Sequence, residues 1–146
     1  MSPADRLRRA GAGILLLARL SPVDRKTVLR AWTDLLVCRV KVSFPQATAT
    51  RAFDDSGRKA AAAAVDHLLG LFGEAAATCV HGTRCLPRSL ALQRFLRRYG
   101  AQARLRLGMR KTGAGWTGHA WLEREGRVVG DSEDFVRQFV PFRETA

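Results

Sequence analysis

Cys85, His119 and Asp131 are the residues whose types and order could carry a reaction. A thiol nucleophile, an imidazole base and a carboxylate that orients the base form the working set of covalent acyl chemistry. Cys85 opens an apolar-periodic stretch that predicts a helix over 85–99, closed by Gly100 in a left-handed cap. A helix start offers unpaired N–H groups and the positive end of the macrodipole, which favour a thiolate and can receive an oxyanion. On the helical wheel Cys85 shares a stripe with Ser89, Leu92, Leu96 and Tyr99, while Arg94 and Arg98 lie opposite, so the sulfur faces the protein body. Singly, each residue also has an ordinary use: a small buried thiol, a surface or core histidine, an aspartate that ends a strand.

His119 and Asp131 meet or miss according to strand register. The alternation of Ala103 to Arg110 predicts one strand, with Leu105, Leu107 and Met109 on one face. A Gly-rich loop over 112–118 then leads to a strand at His119 to Glu123 and another at Arg127 to Asp131. If Arg124-Glu125-Gly126 is a three-residue hairpin loop, Glu123 pairs with Arg127 and His119 falls opposite Asp131. Facing side chains are then ~4.5–5.5 Å apart at Cβ, close enough for the carboxylate to hold the imidazole N–H. A two-residue loop, Glu125-Gly126, would put Asp131 opposite Ala120 instead.

Four further residues are candidates for substrate binding. Arg84 and Arg88 flank the nucleophile and could take peptide carboxylates, although helix-start arginines are often simply solvated. Trp121 shares the His119 face and would line the cleft or pack as core, and Trp116 could gate the site from the Gly-rich loop. A zinc set of Cys79, His81, Cys85 and His119 has no recognised spacing, and zinc on Cys85 would block the nucleophile, so no metal is expected. The segment Gly108-Met-Arg-Lys-Thr-Gly-Ala-Gly lacks the G-x-x-x-x-G-K-[ST] pattern of a P-loop, so no nucleotide site is assigned and no cofactor is expected.

The elements that must position this chemistry are helices first and an antiparallel sheet after, an α+β order. One helix is expected from about Ala4 to Leu20. A second begins at Ser21, a capping hydroxyl, with Pro22 at its first position, and carries Val28, Leu29, Trp32, Leu35, Leu36 and Cys38 at helical spacing to about Val40. Ser43 to Gly57 reads as a loop and Arg58 to Ala77 as an Ala-rich third helix. The stretch Phe135 to Phe142 reads as a last strand or sheet edge.

The 146 residues suit one domain able to bury a real core. Net charge is +12, spread as 12 Lys+Arg against 6 acids over 1–73 and 13 against 7 over 74–146, or +6 in each half. That spread has no basic tail and argues for a solvated Arg-rich surface rather than a nucleic-acid stripe, while an acidic peptide partner fits the same electrostatics. A catalytically silent basic module for nucleic acid or an acidic protein is the rival from another class. Three cysteines leave an odd thiol, which points to a reducing cytoplasm. The apolar run Gly11 to Ala18 is short and broken by Arg19, closer to an amphipathic helix than to a signal peptide, and no segment has the ~20 apolar residues of a membrane span.

The runs Cys85-Leu-Pro-Arg-Ser-Leu-Ala-Leu, Gly118-His-Ala-Trp-Leu-Glu and Val129-Gly-Asp resemble those of the B2 proteins of lasso peptide biosynthesis, members of the transglutaminase-like superfamily. The likeness covers about residues 79–142. It implies a papain/transglutaminase-like core with the nucleophile helix packed on an antiparallel sheet, and Cys85, His119 and Asp131 as a catalytic triad. It implies a cysteine peptidase that removes the leader from a ribosomally made precursor, freeing the core for a separate lasso cyclase. It also implies a stand-alone form that needs a separate leader-recognition (B1) protein, with possible ATP dependence. Acyl transfer to an amine is the alternative on the same triad. Residues 1–78 would then serve as a docking part for leader and partner, through exposed arginines at 6–9 and 25–30, beside a catalytic core over 79–146.

Overall fold

The computed structural model describes residues 2–43 and 62–142. The expected loop beyond Ser43 and the start of the third helix at Arg58 lie outside them. Four longer helices come first: α1 (Pro3–Arg19), α2 (Pro22–Ser43), α3 (Ala62–Thr78) and α4 (Cys85–Arg98). Strands β1 (Arg104–Thr112), β2 (Gly115–Arg124) and β3 (Arg127–Val129) follow, then the short helix α5 (Glu133–Val136) and strand β4 (Val140–Pro141). The antiparallel sheet has the order β3-β2-β1-β4. The architecture is α+β, as the order of sequence patterns predicts.

Helix starts follow local chemistry. Ser2 and Asp5 form a capping box on α1, and the Ser21 hydroxyl accepts from Asp24 N at 3.2 Å at the start of α2. Arg25 closes the end of α1 by donating to the carbonyls of Leu20 and Ala18. Arg9 donates to the carbonyls of Ala77, in the last turn of α3, and Cys79, just beyond it. These two arginines of the expected docking face are therefore engaged with backbone.

One apolar cluster joins the helices to the sheet: Val28, Ala31, Leu35 and Cys38 of α2, Val65 to Ala76 of α3, Ala91 to Leu96 of α4, and Leu122 of β2. The buried stripe of α2 runs through Ala31 and Asp34, whereas Leu29 and Leu36, expected on it, are about half exposed. Asp34 is fully buried and its Oδ1 accepts from Arg94 Nε at 2.6 Å and Arg98 at 2.8 Å. The face of α4 opposite the thiol thus packs on α2 through ion pairs.

Three sheet expectations need correction. β2 begins at Gly115, so most of the expected Gly-rich loop is strand; the β1–β2 ladder runs to Thr112↔Gly115, and its hydrogen bonds outweigh the low strand preference of glycine. The β2–β3 ladder pairs Glu123 with Val128 and Arg124 with Arg127, the register of a two-residue Glu125-Gly126 loop. Both loop residues have positive φ, 52° and 78°, the pattern of a type I′ turn. Asp131 is therefore not the cross-strand partner of His119. Lastly, of the strand or sheet edge expected over Phe135 to Phe142 only the edge holds: Ser132 caps α5 by accepting from Phe135 N, and Val140–Pro141 joins the sheet as its edge beside β1.

Candidate active site

Along β2, Leu122 points into the helical core, while His119 and Trp121 share the opposite face with Val136 and Phe139. β3 pairs only with Leu122 to Arg124, so Ala120 has no ladder partner on that side. Its carbonyl instead accepts from the buried hydroxyl of Ser89 at 2.9 Å. Ser89 lies one turn after Cys85, so this bond fixes the start of α4 beside the open edge of β2.

Gly130 then turns the chain out of the ladder with φ +73°, and a Cβ there would lie 2.2 Å from Leu92 Cδ2. Only glycine fits both the left-handed backbone and the close approach to α4. The turn carries Asp131 back toward β2. His119 Nε2 donates to Asp131 Oδ2 at 2.7 Å, and Asp131 Oδ1 accepts from Ser132 N at 2.9 Å. The two side chains are 12% and 21% exposed, a partly desolvated pair. Engagement of Nε2 leaves Nδ1 as the nitrogen free to serve a thiol.

The imidazole is held on three sides by aromatic rings. Trp121 stacks near it at 6.2 Å, Phe135 meets it edge-on at 5.0 Å, and Phe139 lies 5.0 Å away. Trp121 is anchored in turn by its Nε1 donating to Glu123, which also accepts from Arg106. Burial pushes the Glu123 carboxyl up, but the bonds from Trp121 and Arg106 outweigh it and hold the group below its ordinary range.

Cys85 and the His119–Asp131 pair line one recess of about 210 Å³, together with Ser89, Arg88 and Phe135. Cys85 and Cys79 are half-buried and Cys38 is buried, and all three thiols are free. Arg84 occupies the N-cap of α4 without a side-chain cap bond, and Pro87 has no N–H. The N–H groups of Cys85 and Leu86 are therefore the donors at this helix start, beside the thiol.

The structure brings Cys85, His119, Asp131, Arg88 and Trp121 to this recess. Arg84 lines the neighbouring one. Trp116 sits on β2, 66% exposed, and is not among the residues lining the thiol recess. Among the described residues no three His, Cys, Asp or Glu side chains converge as a metal site, and no helix is long and apolar enough to cross a membrane. Ser89, Gly130, Phe135 and Phe139 escaped the sequence reading as site residues. Ser132 followed by Glu133-Asp134 was the available signal for α5 and its Phe135/Phe139 pair at i, i+4 spacing.

Fold and recess together describe an α+β protein with a thiol at a helix start, beside an imidazole fixed by a carboxylate. Such a set can attack an acyl carbon, stabilise the oxyanion and shuttle one proton. A family model for the transglutaminase-like superfamily matches residues 32–144, and the chain belongs to that superfamily, whose members commonly carry Cys-His-Asp peptidase or acyltransferase activity. No curated protein and no solved structure gives a significant match. The matched span takes in most of α2 and all of α3, beyond the stretch that carries the B2 resemblance.

Proposed function

We propose that the protein is a cytoplasmic cysteine peptidase that cuts the leader from a ribosomally made lasso peptide precursor, with Cys85, His119 and Asp131 as its triad. The observation that carries the reading is the 2.7 Å bond between His119 and Asp131 in the recess that also holds Cys85. The superfamily match and the residue likeness over 79–142 support it.

In this mechanism the Cys85 sulfur attacks the leader–core carbonyl, and His119 accepts the thiol proton at Nδ1. The N–H groups of Cys85 and Leu86 receive the oxyanion. The imidazolium, steadied by Asp131, protonates the leaving amine of the core. Water, deprotonated by His119, then releases the leader from the thioester. Only water is consumed, so the proposal includes no cofactor. The partners are a separate leader-recognition protein and, downstream, the cyclase that uses the freed amine. Arg88 would bind substrate directly, while the buried Trp121 would back the imidazole. Residues 1–78 would contribute docking surface within a single-domain protein.

The superfamily match equally favours acyl transfer to an amine as a second reading. Incubation with precursor and recognition protein, followed by mass spectrometry, separates the outcomes. Free leader and core are expected, an amine adduct would mean transfer, and intact precursor would leave a binding role. Cys85→Ala and His119→Ala should abolish cleavage, and Asp131→Asn should retain a small fraction of it. Full activity in Cys85→Ala would sink the mechanism.

A further inference from the structure

Two larger recesses adjoin the thiol recess. One, of about 340 Å³, lies between the end of α2, at Leu35 and Arg39, and the segment carrying Thr83, Arg84 and Arg88. The other, of about 330 Å³, is bounded by Arg6 of α1, Arg39, His81 and Arg84. Arg39 and Arg84 line both, and Thr83 and Arg88 line the first of them and the thiol recess as well. The three form one path from Arg6 to Cys85.

The charges along this path are unbalanced. Among the described residues no Asp or Glu lines either outer recess. Arg6, Arg84 and Arg88 have no side-chain hydrogen bond or ion pair among the described residues, and Arg88 Nε is buried without a partner. Arg39 donates to the carbonyls of His81 and Gly82, which fixes the wall but leaves its charge without a counter-ion among the described residues. Arg94, Arg98, Arg124 and Arg137, by contrast, each have a carboxylate. A buried donor without an acceptor costs free energy that an incoming acceptor recovers.

We propose that this arginine-lined cleft is the binding track for an acidic stretch of the substrate peptide, seating its Asp and Glu side chains on Arg6, Arg39, Arg84 and Arg88 while the scissile bond reaches Cys85. Guanidinium forks pair with carboxylates bidentately, so the track selects charge and spacing together. A nucleic acid fits less well, because among the described residues no Phe, Tyr or Trp lines the outer recesses, which leaves the imidazole of His81 as the one ring there to stack a base. The assignment of the track's occupant as substrate rests on the peptidase reading; the binding itself does not.

The test uses the full chain as Cys85→Ala, so that binding is read without cleavage. Fluorescence anisotropy compares a labelled peptide rich in Glu with its Gln counterpart and with an oligo-dT. The Glu peptide should bind best, and more weakly as salt rises. Replacing Arg6, Arg84 and Arg88 together by Gln should weaken it about tenfold, a loss of about 1.4 kcal/mol. Arg84→Glu with Arg88→Glu should shift preference to a Lys-rich peptide, an outcome misfolding cannot imitate. Equal binding of the Glu and Gln peptides overturns the proposal, as does tightest binding of oligo-dT or failure of the charge-reversed pair to switch. Intact selective binding in a wild-type chain that cleaves nothing would remove the peptidase reading and leave the track standing.

Discussion

His119 is oriented through residues that perform no chemistry themselves. Gly130 is the clearest, because its left-handed φ sends Asp131 back to the imidazole and its missing side chain admits Leu92 of α4. Gly130→Ala should lower stability by roughly 1–3 kcal/mol through backbone strain and overpacking, and should cut cleavage by displacing Asp131. Urea unfolding beside an activity assay checks this, and an unchanged midpoint would contradict the assigned role. That Cys85, His119 and Asp131 form a candidate set was legible from type, order and helix-start position, and the three line one recess. Gly130 and Ser89 were not, because a close approach and a buried side chain–backbone bond exist only once two distant elements are docked.

At the scale of elements, the hairpin between β2 and β3 shows how a register can differ while a contact survives. The segment Arg124-Glu125-Gly126 lacks an Asn or Asp before its glycine, the strong sequence mark of a two-residue turn, so a three-residue loop was the natural expectation. The ladder took the tighter turn and then stopped at Val129, and Gly130 restored by rotation what the register alone would have lost. The helix start at Ser21 was legible because capping is local, and the one at Cys85 because an apolar helical period begins there, although Arg84 makes no side-chain cap bond. The Gly-rich start of β2 was not, because its pairing depends on β1.

The same strand carries a testable electrostatic link in Glu123, which ties Trp121 to Arg106 behind the imidazole. Its carboxyl is held below the ordinary value of 4.5, so its stabilisation is present above that value and is lost as pH falls through the lowered folded one. Glu123→Gln should therefore melt lower than wild type at neutral pH, by a few tenths to about 1 kcal/mol, and the gap should narrow in acid. Thermal melts across a pH series read it directly; a gap independent of pH would show that the charge is irrelevant.

Across the whole molecule, helices and sheet share one apolar cluster, and the ion pairs of Asp34 cross it between α2 and α4. Asp34 is sealed from solvent, with Oδ2 unpartnered, while Arg94 and Arg98 keep 35% and 42% exposure. Removal of the two sides should therefore be unequal. Arg94→Ala with Arg98→Ala strands a buried charge and should cost roughly 3–5 kcal/mol, whereas Asp34→Leu leaves two cations that can reach water and should cost much less. Denaturant titrations of the two variants decide it, and equal losses would refute the asymmetry. The α+β order was legible in the change from helical to alternating periodicity. Asp34 was not, since a charge on an apolar stripe declares no partner until the facing helix is in place.

The base and its carboxylate ride on one hairpin, twelve residues apart, while the thiol rides on α4. The site is thus split along the seam between two layers. A slide of the helical layer along the sheet by a fraction of an ångström would alter the thiol–imidazole gap and leave the imidazole–carboxylate bond untouched. In mechanical terms the recess is a vernier: one scale is engraved on the hairpin, the other on the helix, and the Ser89–Ala120 bond is the clamp that sets the zero.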